Sequence, residues 1–167
     1  MIKTVVWTAV LSILAGILQS TLLARFALYK AVPDLALGIV VYAAYVNGAM
    51  TGQVAGFLSG LLLDFLSAAP LGLNCLVRTL IGALAGLFKD TFFLDVFILP
   101  FVLCALATLL KAGIYFALHL ILGPAIPAYS FVTPLFWAEF GLNSLSAPLL
   151  FGLLRRIPAL SPGRNQG

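Results

Sequence analysis

Charge is scarce in this sequence. Only 8% of its 167 residues are charged, nine Lys or Arg against five Asp or Glu, too thin a coat to solvate a water-soluble domain of ordinary composition. The net charge of +4 is also too small and scattered for nucleic-acid binding. Cysteine is as sparse: Cys75 and Cys104 both fall inside apolar segments and read as small buried hydrophobes rather than a disulfide or metal pair, which leaves the redox compartment unread. The single histidine, His119, sits near the end of an apolar run, where a headgroup-level residue fits better than a general base. No phosphate-cradling glycine loop, His-Glu-x-x-His zinc motif or dinucleotide fingerprint occurs. Ser59 beside Gly60 could suggest an intramembrane nucleophile, but a nucleophile needs a base within hydrogen-bond reach, and His119 belongs at the membrane edge. Enzymatic activity, cofactors and bound metals are not expected.

What is present is hydrophobic: 63% of the residues and a mean hydropathy of +1.17, the signature of an integral membrane protein. A span needs roughly 20 apolar residues, fewer where the bilayer thins or flanking residues snorkel. On that ruler one all-α domain over residues 1–167 carries six spans, at about 4–24, 33–46, 51–67, 71–88, 101–122 and 130–154. The first follows a lysine, continues to Ala24 without a cleavage site, and reads as an uncleaved span rather than a signal peptide. Arg25 and Lys30 lie in the connection after it. Pro33-Asp34 opens the second span, the proline in the first turn and the acid near the positive end of the helix dipole. Asn47-Gly48 closes it early, so this span is short for a full crossing. Lys89-Asp90 is a charged connection. Phe92 to Leu99 then reads as a lead-in at the interface with Asp95 facing water, broken at Pro100 before the fifth span. The loop from Gly123 to Pro127 is stiff and uncharged. Lys3, Lys89, Arg155, Arg156 and Arg164 on one side outnumber Arg25 and Lys30 on the other, which predicts both termini in the cytoplasm.

The third and fourth spans read as a hairpin about the Ser67-Ala68-Ala69-Pro70 turn. Gly48, Gly52, Gly56, Gly60 and Asp64 recur every four residues along one helix face, and Asn74, Arg78, Gly82 and Gly86 do so along the next. Folded about position 69, Asp64 comes level with Asn74, Gly60 with Arg78, Gly56 with Gly82 and Gly52 with Gly86. Glycine rows let helix backbones approach closely where water cannot drive association. Arg78 then lies about one turn deeper than Asp64, within reach of its side chain, and an intramembrane charge needs such a partner. The expectation is a buried cluster of Asp64, Asn74 and Arg78, either a structural clamp or a functional surface. Folding the last two spans about Ala125 puts Lys111 level with Glu139, as a second buried pair or as two groups facing a wet cavity. A proton or cation path is the alternative use of these acids; neutralised pairs explain them without transport. Ser12, Gly16 and Ser20 form another small-residue row, and with Phe131, Phe136, Trp137 and Phe140 they are candidate partner faces or internal packing.

The run Pro33-Asp34, then Gly52-x3-Gly56-Phe57-x2-Gly60-Leu61-x2-Asp64, Pro70-Leu71-Gly72-Leu73-Asn74 and Ile81-Gly82-x3-Gly86, resembles the rod shape-determining MreD family of bacterial membrane proteins. The resemblance covers the whole length in layout and residues 33–88 in motif. It implies a multi-pass inner-membrane scaffold of the cell-elongation machinery that builds lateral peptidoglycan. Its implied partners are the bitopic protein MreC and, through it, the MreB filament and the glycosyltransferase-transpeptidase pair. It also implies a six-helix fold like that of the substrate-binding subunits of energy-coupling-factor transporters. The competing reading is such a vitamin-binding subunit, in which Asp64, Asn74, Arg78 and Glu139 would line an outward-facing pocket. The few aromatics near these positions and the lack of a long outer loop weigh against it.

Overall fold

The structure, a computed structural model, describes residues 1–21, 23–26, 31–67, 70–89, 97–126, 129 and 131–160. Lys30, Ala68-Ala69, Asp90, Asp95, most of the Phe92–Leu99 lead-in, Pro127, Ser130 and Arg164 lie outside these. Among the described residues there are six α-helices and no strand: α1 (Ile2–Thr21), α2 (Leu35–Asn47), α3 (Ala49–Leu66), α4 (Leu73–Leu87), α5 (Ile98–Leu122) and α6 (Pro134–Leu154). Three are long and apolar enough to cross a membrane: α1, α3, and α5 with the 3-10 turn that follows it. Pro100 does not precede the fifth helix as expected but sits in its first turn, where a missing N–H leaves no intrahelical bond unmade.

The short helix α2 is the axis of the bundle. Nine of its residues, Ala36 through Ala44, are buried, which suits a helix apolar all round rather than along one stripe. Tyr42 meets Phe151 of α6 edge to face, ring centroids 5.1 Å apart. At the end of the bundle where α1 begins and α6 ends, Asn47 Nδ2 donates to the Leu160 carbonyl at 3.1 Å, so the last described turn is tied to α2. With 13 residues and a rise of 1.5 Å each, α2 covers only about 20 Å. A hydrocarbon core is about 30 Å thick. Whichever end of α2 is drawn inward therefore brings its capping residue into the protein interior, and at the other end of the bundle that residue is Asp34.

Helices α3 and α4 pack backbone to backbone. A Cβ built on Gly52 would lie 2.2 Å from the Gly82 carbonyl oxygen, one on Gly56 would lie 2.3 Å from that of Arg78, and one on Gly60 would lie 2.5 Å from that of Asn74. Both glycine rows are thus at the contact, but the register is one helical turn away from that expected: Gly52 meets Gly82 rather than Gly86, and Gly86 meets Gly48 and Ala49. In this register the last turn of α3 overhangs the start of α4, and Asp64 lies in the overhang.

Candidate functional site

The overhang decides what Asp64 does. Its carboxylate is buried, 2% exposed, and reaches under the first turn of α4. Oδ2 accepts the backbone N–H groups of Gly72 at 2.9 Å and Cys75 at 3.1 Å, and Oδ1 accepts the N–H and the side-chain amide of Asn74, both at 3.0 Å. The first N–H groups of a helix have no partner within it, and the dipole there favours an anion. Asp64 supplies both needs from the neighbouring helix. Asn74 is its partner as expected. Arg78 is not, which corrects the clamp read from the sequence: the guanidinium turns away from Asp64 and toward α2.

Its counter-ion is Asp34. Oδ1 of Asp34 accepts Arg78 Nη2 at 2.8 Å and Oδ2 accepts Lys111 Nζ at 3.0 Å. Lys111 also donates to Glu139 Oε1 at 2.6 Å, and Glu139 Oε2 accepts the Tyr129 hydroxyl. Asp34 caps α2 as well, accepting the Leu37 N–H at 3.0 Å. Its own N–H donates to Asn143 Oδ1 at 2.6 Å, and Asn143 Nδ2 donates to Thr108 Oγ1 at 3.0 Å. One connected network therefore joins the start of α2 to α4, α5 and α6. Two cations face two anions, so the site is electroneutral, as a buried group of charges must nearly be. At Tyr129, outside the helices, burial and then the neighbouring Glu139 carboxylate push the hydroxyl above its ordinary pKa, so it stays a donor.

The remaining candidates fall into place around this network. Ser12 is fully buried, and a Cβ on Gly16 would meet the Leu63 side chain at 2.6 Å. Gly16 thus packs α1 against α3 and Ser12 lies in the interior, so these two are no open partner face; only Ser20 of the three is exposed. Phe136 is buried beneath Trp137 and Phe140, with ring centroids 5.1 and 6.1 Å away, so of the four candidate aromatics Trp137 is largely exposed and Phe131 partly so, at 60% and 39%. Ser59 donates to the Gly56 carbonyl, and His119 Nδ1 lies 2.8 Å from the Ile126 carbonyl oxygen. Both are engaged with backbone rather than with each other. Among the described residues no three His, Cys, Asp or Glu groups are placed to hold a metal ion.

Asp34, Thr108, Tyr129 and Asn143 are the members that sequence reasoning missed. The signal for Asp34 was the shortness of the second span. An acid at the start of a helix too short to cross is carried below the surface and must find cations there.

A model of the protein family described as rod shape-determining protein MreD matches residues 1–157. No curated protein and no solved structure matches the chain.

Proposed function

From the premise that this chain belongs to the family of rod shape-determining protein MreD, we propose that it acts as a non-enzymatic membrane scaffold for cell elongation. In this reading it sits in the inner membrane with both termini in the cytoplasm, holds the bitopic protein MreC, and through it serves the MreB filament and the enzymes of lateral peptidoglycan synthesis. Its six-helix plan is also the ground for proposing kinship with the substrate-binding subunits of energy-coupling-factor transporters. The observation that carries the reading is the pairing of the interior: the acids Asp34, Asp64 and Glu139 hold helices in place, an arrangement suited to rigidity rather than to turnover. A rigid bundle presents a fixed exterior, and in lipid that exterior is where a partner helix must dock.

The test is complementation with a co-purification arm. In a rod-shaped host depleted of its own family member, the wild-type chain restores rods and retains MreC in detergent. The Asp34→Ala chain yields round cells and loses MreC. Rods maintained by a chain that retains no MreC would contradict the scaffold reading.

A further inference from the structure

At the end of the bundle where α2 begins, a groove of about 460 Å³ opens between the last turns of α1 and α3 and the first turns of α4. That volume falls in the range of small-ligand sites. Its lining joins two chemistries. Ile17 and Leu66, 47% and 58% exposed, make an apolar rim continuous with the outer surface of the bundle, while Gln19, Asn74, Asp34 and Arg78 make the polar part. Arg78 is the informative residue. It is only 5% exposed, and although Nη2 is bonded to Asp34, Nε and Nη1 have no hydrogen-bond partner among the described residues. Buried guanidinium donors left unpaired are costly, and arginine is the side chain best matched to phosphate oxygens.

We infer that this groove binds the phosphodiester headgroup of a membrane phospholipid, with the Arg78 guanidinium as its anchor. Donors and charge together select the class. Arg78 and Lys111 are already balanced by Asp34 and Glu139, so the groove offers unpaired N–H donors rather than net positive charge, which disfavours a dianionic phosphate more than a monoanionic one. A phosphodiester carries one negative charge and offers acceptor oxygens, which the unpaired N–H groups need. Arg78 is part of the groove's lining, which makes it the cationic residue that a headgroup there would meet. The apolar rim over Ile17 and Leu66 takes the start of an acyl chain, which free phosphate lacks. The inference stands apart from the scaffold reading, since either can fail alone.

The test uses the full chain, delipidated in detergent and followed by native mass spectrometry while dioleoyl phosphatidylglycerol, dioleoylglycerol or inorganic phosphate is added. One saturable phosphatidylglycerol adduct is expected, held at least about tenfold more tightly than dioleoylglycerol. Arg78→Gln removes the anchor and abolishes that preference. Because Arg78→Gln also strands Asp34, Ser20→Trp is the second variant: it crowds the groove from an exposed position and weakens the adduct at least about tenfold with thermal unfolding unchanged. Equal retention of both lipids, wild-type retention in folded Ser20→Trp, or displacement of the lipid by inorganic phosphate would each overturn the proposal.

Discussion

Two acids of the same type near the same end of the bundle do different work, and the difference lies in what each touches. Asp34 neutralises two cations at once. Removing it leaves Arg78 and Lys111 buried with Glu139 as the one remaining acid of the network, a defect that costs about 3–5 kcal/mol for a broken buried pair. Asp64 satisfies backbone N–H groups at a helix start, and loss of a cap costs about 0.5–2 kcal/mol. Asp34→Ala is therefore expected to lower folded yield and unfolding temperature in detergent well beyond Asp64→Ala. The opposite order would mean that Asp64 carries the ion pair after all. The sequence made Asp64 the natural partner because spacing along a helix was visible and depth was not. Asp34 lies 44 residues from Arg78 in the chain, and no periodicity links them.

At the scale of helices, the glycines divide into kinds that sequence alone does not separate. Those at positions 52, 56 and 60 touch backbone of α4, whereas a Cβ on Gly113, Gly141 or Gly152 would meet nothing within 4 Å. Gly56→Ala must push α3 and α4 apart, an overpacking cost of about 1–3 kcal/mol. Gly113→Ala and Gly141→Ala are expected to be neutral or stabilising by up to about 1 kcal/mol through helix propensity. Unfolding in detergent measures both, and a harmless Gly56→Ala would contradict the close α3–α4 contact. Gly72 is a third case, open in space but with φ at +91°, where an L side chain is strained. The glycine rows were legible because a period of four survives in the sequence. Their register was not, since it goes with Asp64 reaching the first backbone N–H groups of α4, which no spacing announces. The Lys111–Glu139 level was legible from simple folding about the loop at Ala125. The Ser12 and Gly16 row showed its small side chains but not which neighbour they face; for Gly16 that neighbour is Leu63 of α3.

Across the whole molecule, the network is the polar joint between the four N-terminal helices and the α5–α6 hairpin. It meets on the N-cap of α2, the helix surrounded by the others, so one carboxylate links the halves where apolar packing alone would let them slide. In the proposed scaffold role, outer faces that must keep fixed positions gain from such a joint. The measurement that tests it most directly is a pair of double-mutant cycles on unfolding free energy in detergent, Asp34→Ala with Arg78→Ala and Asp64→Ala with Arg78→Ala. A coupling of about 1–3 kcal/mol is expected in the first cycle and additivity within about 0.5 kcal/mol in the second. Additivity between Asp34 and Arg78, with the coupling found at Asp64 instead, would contradict the account.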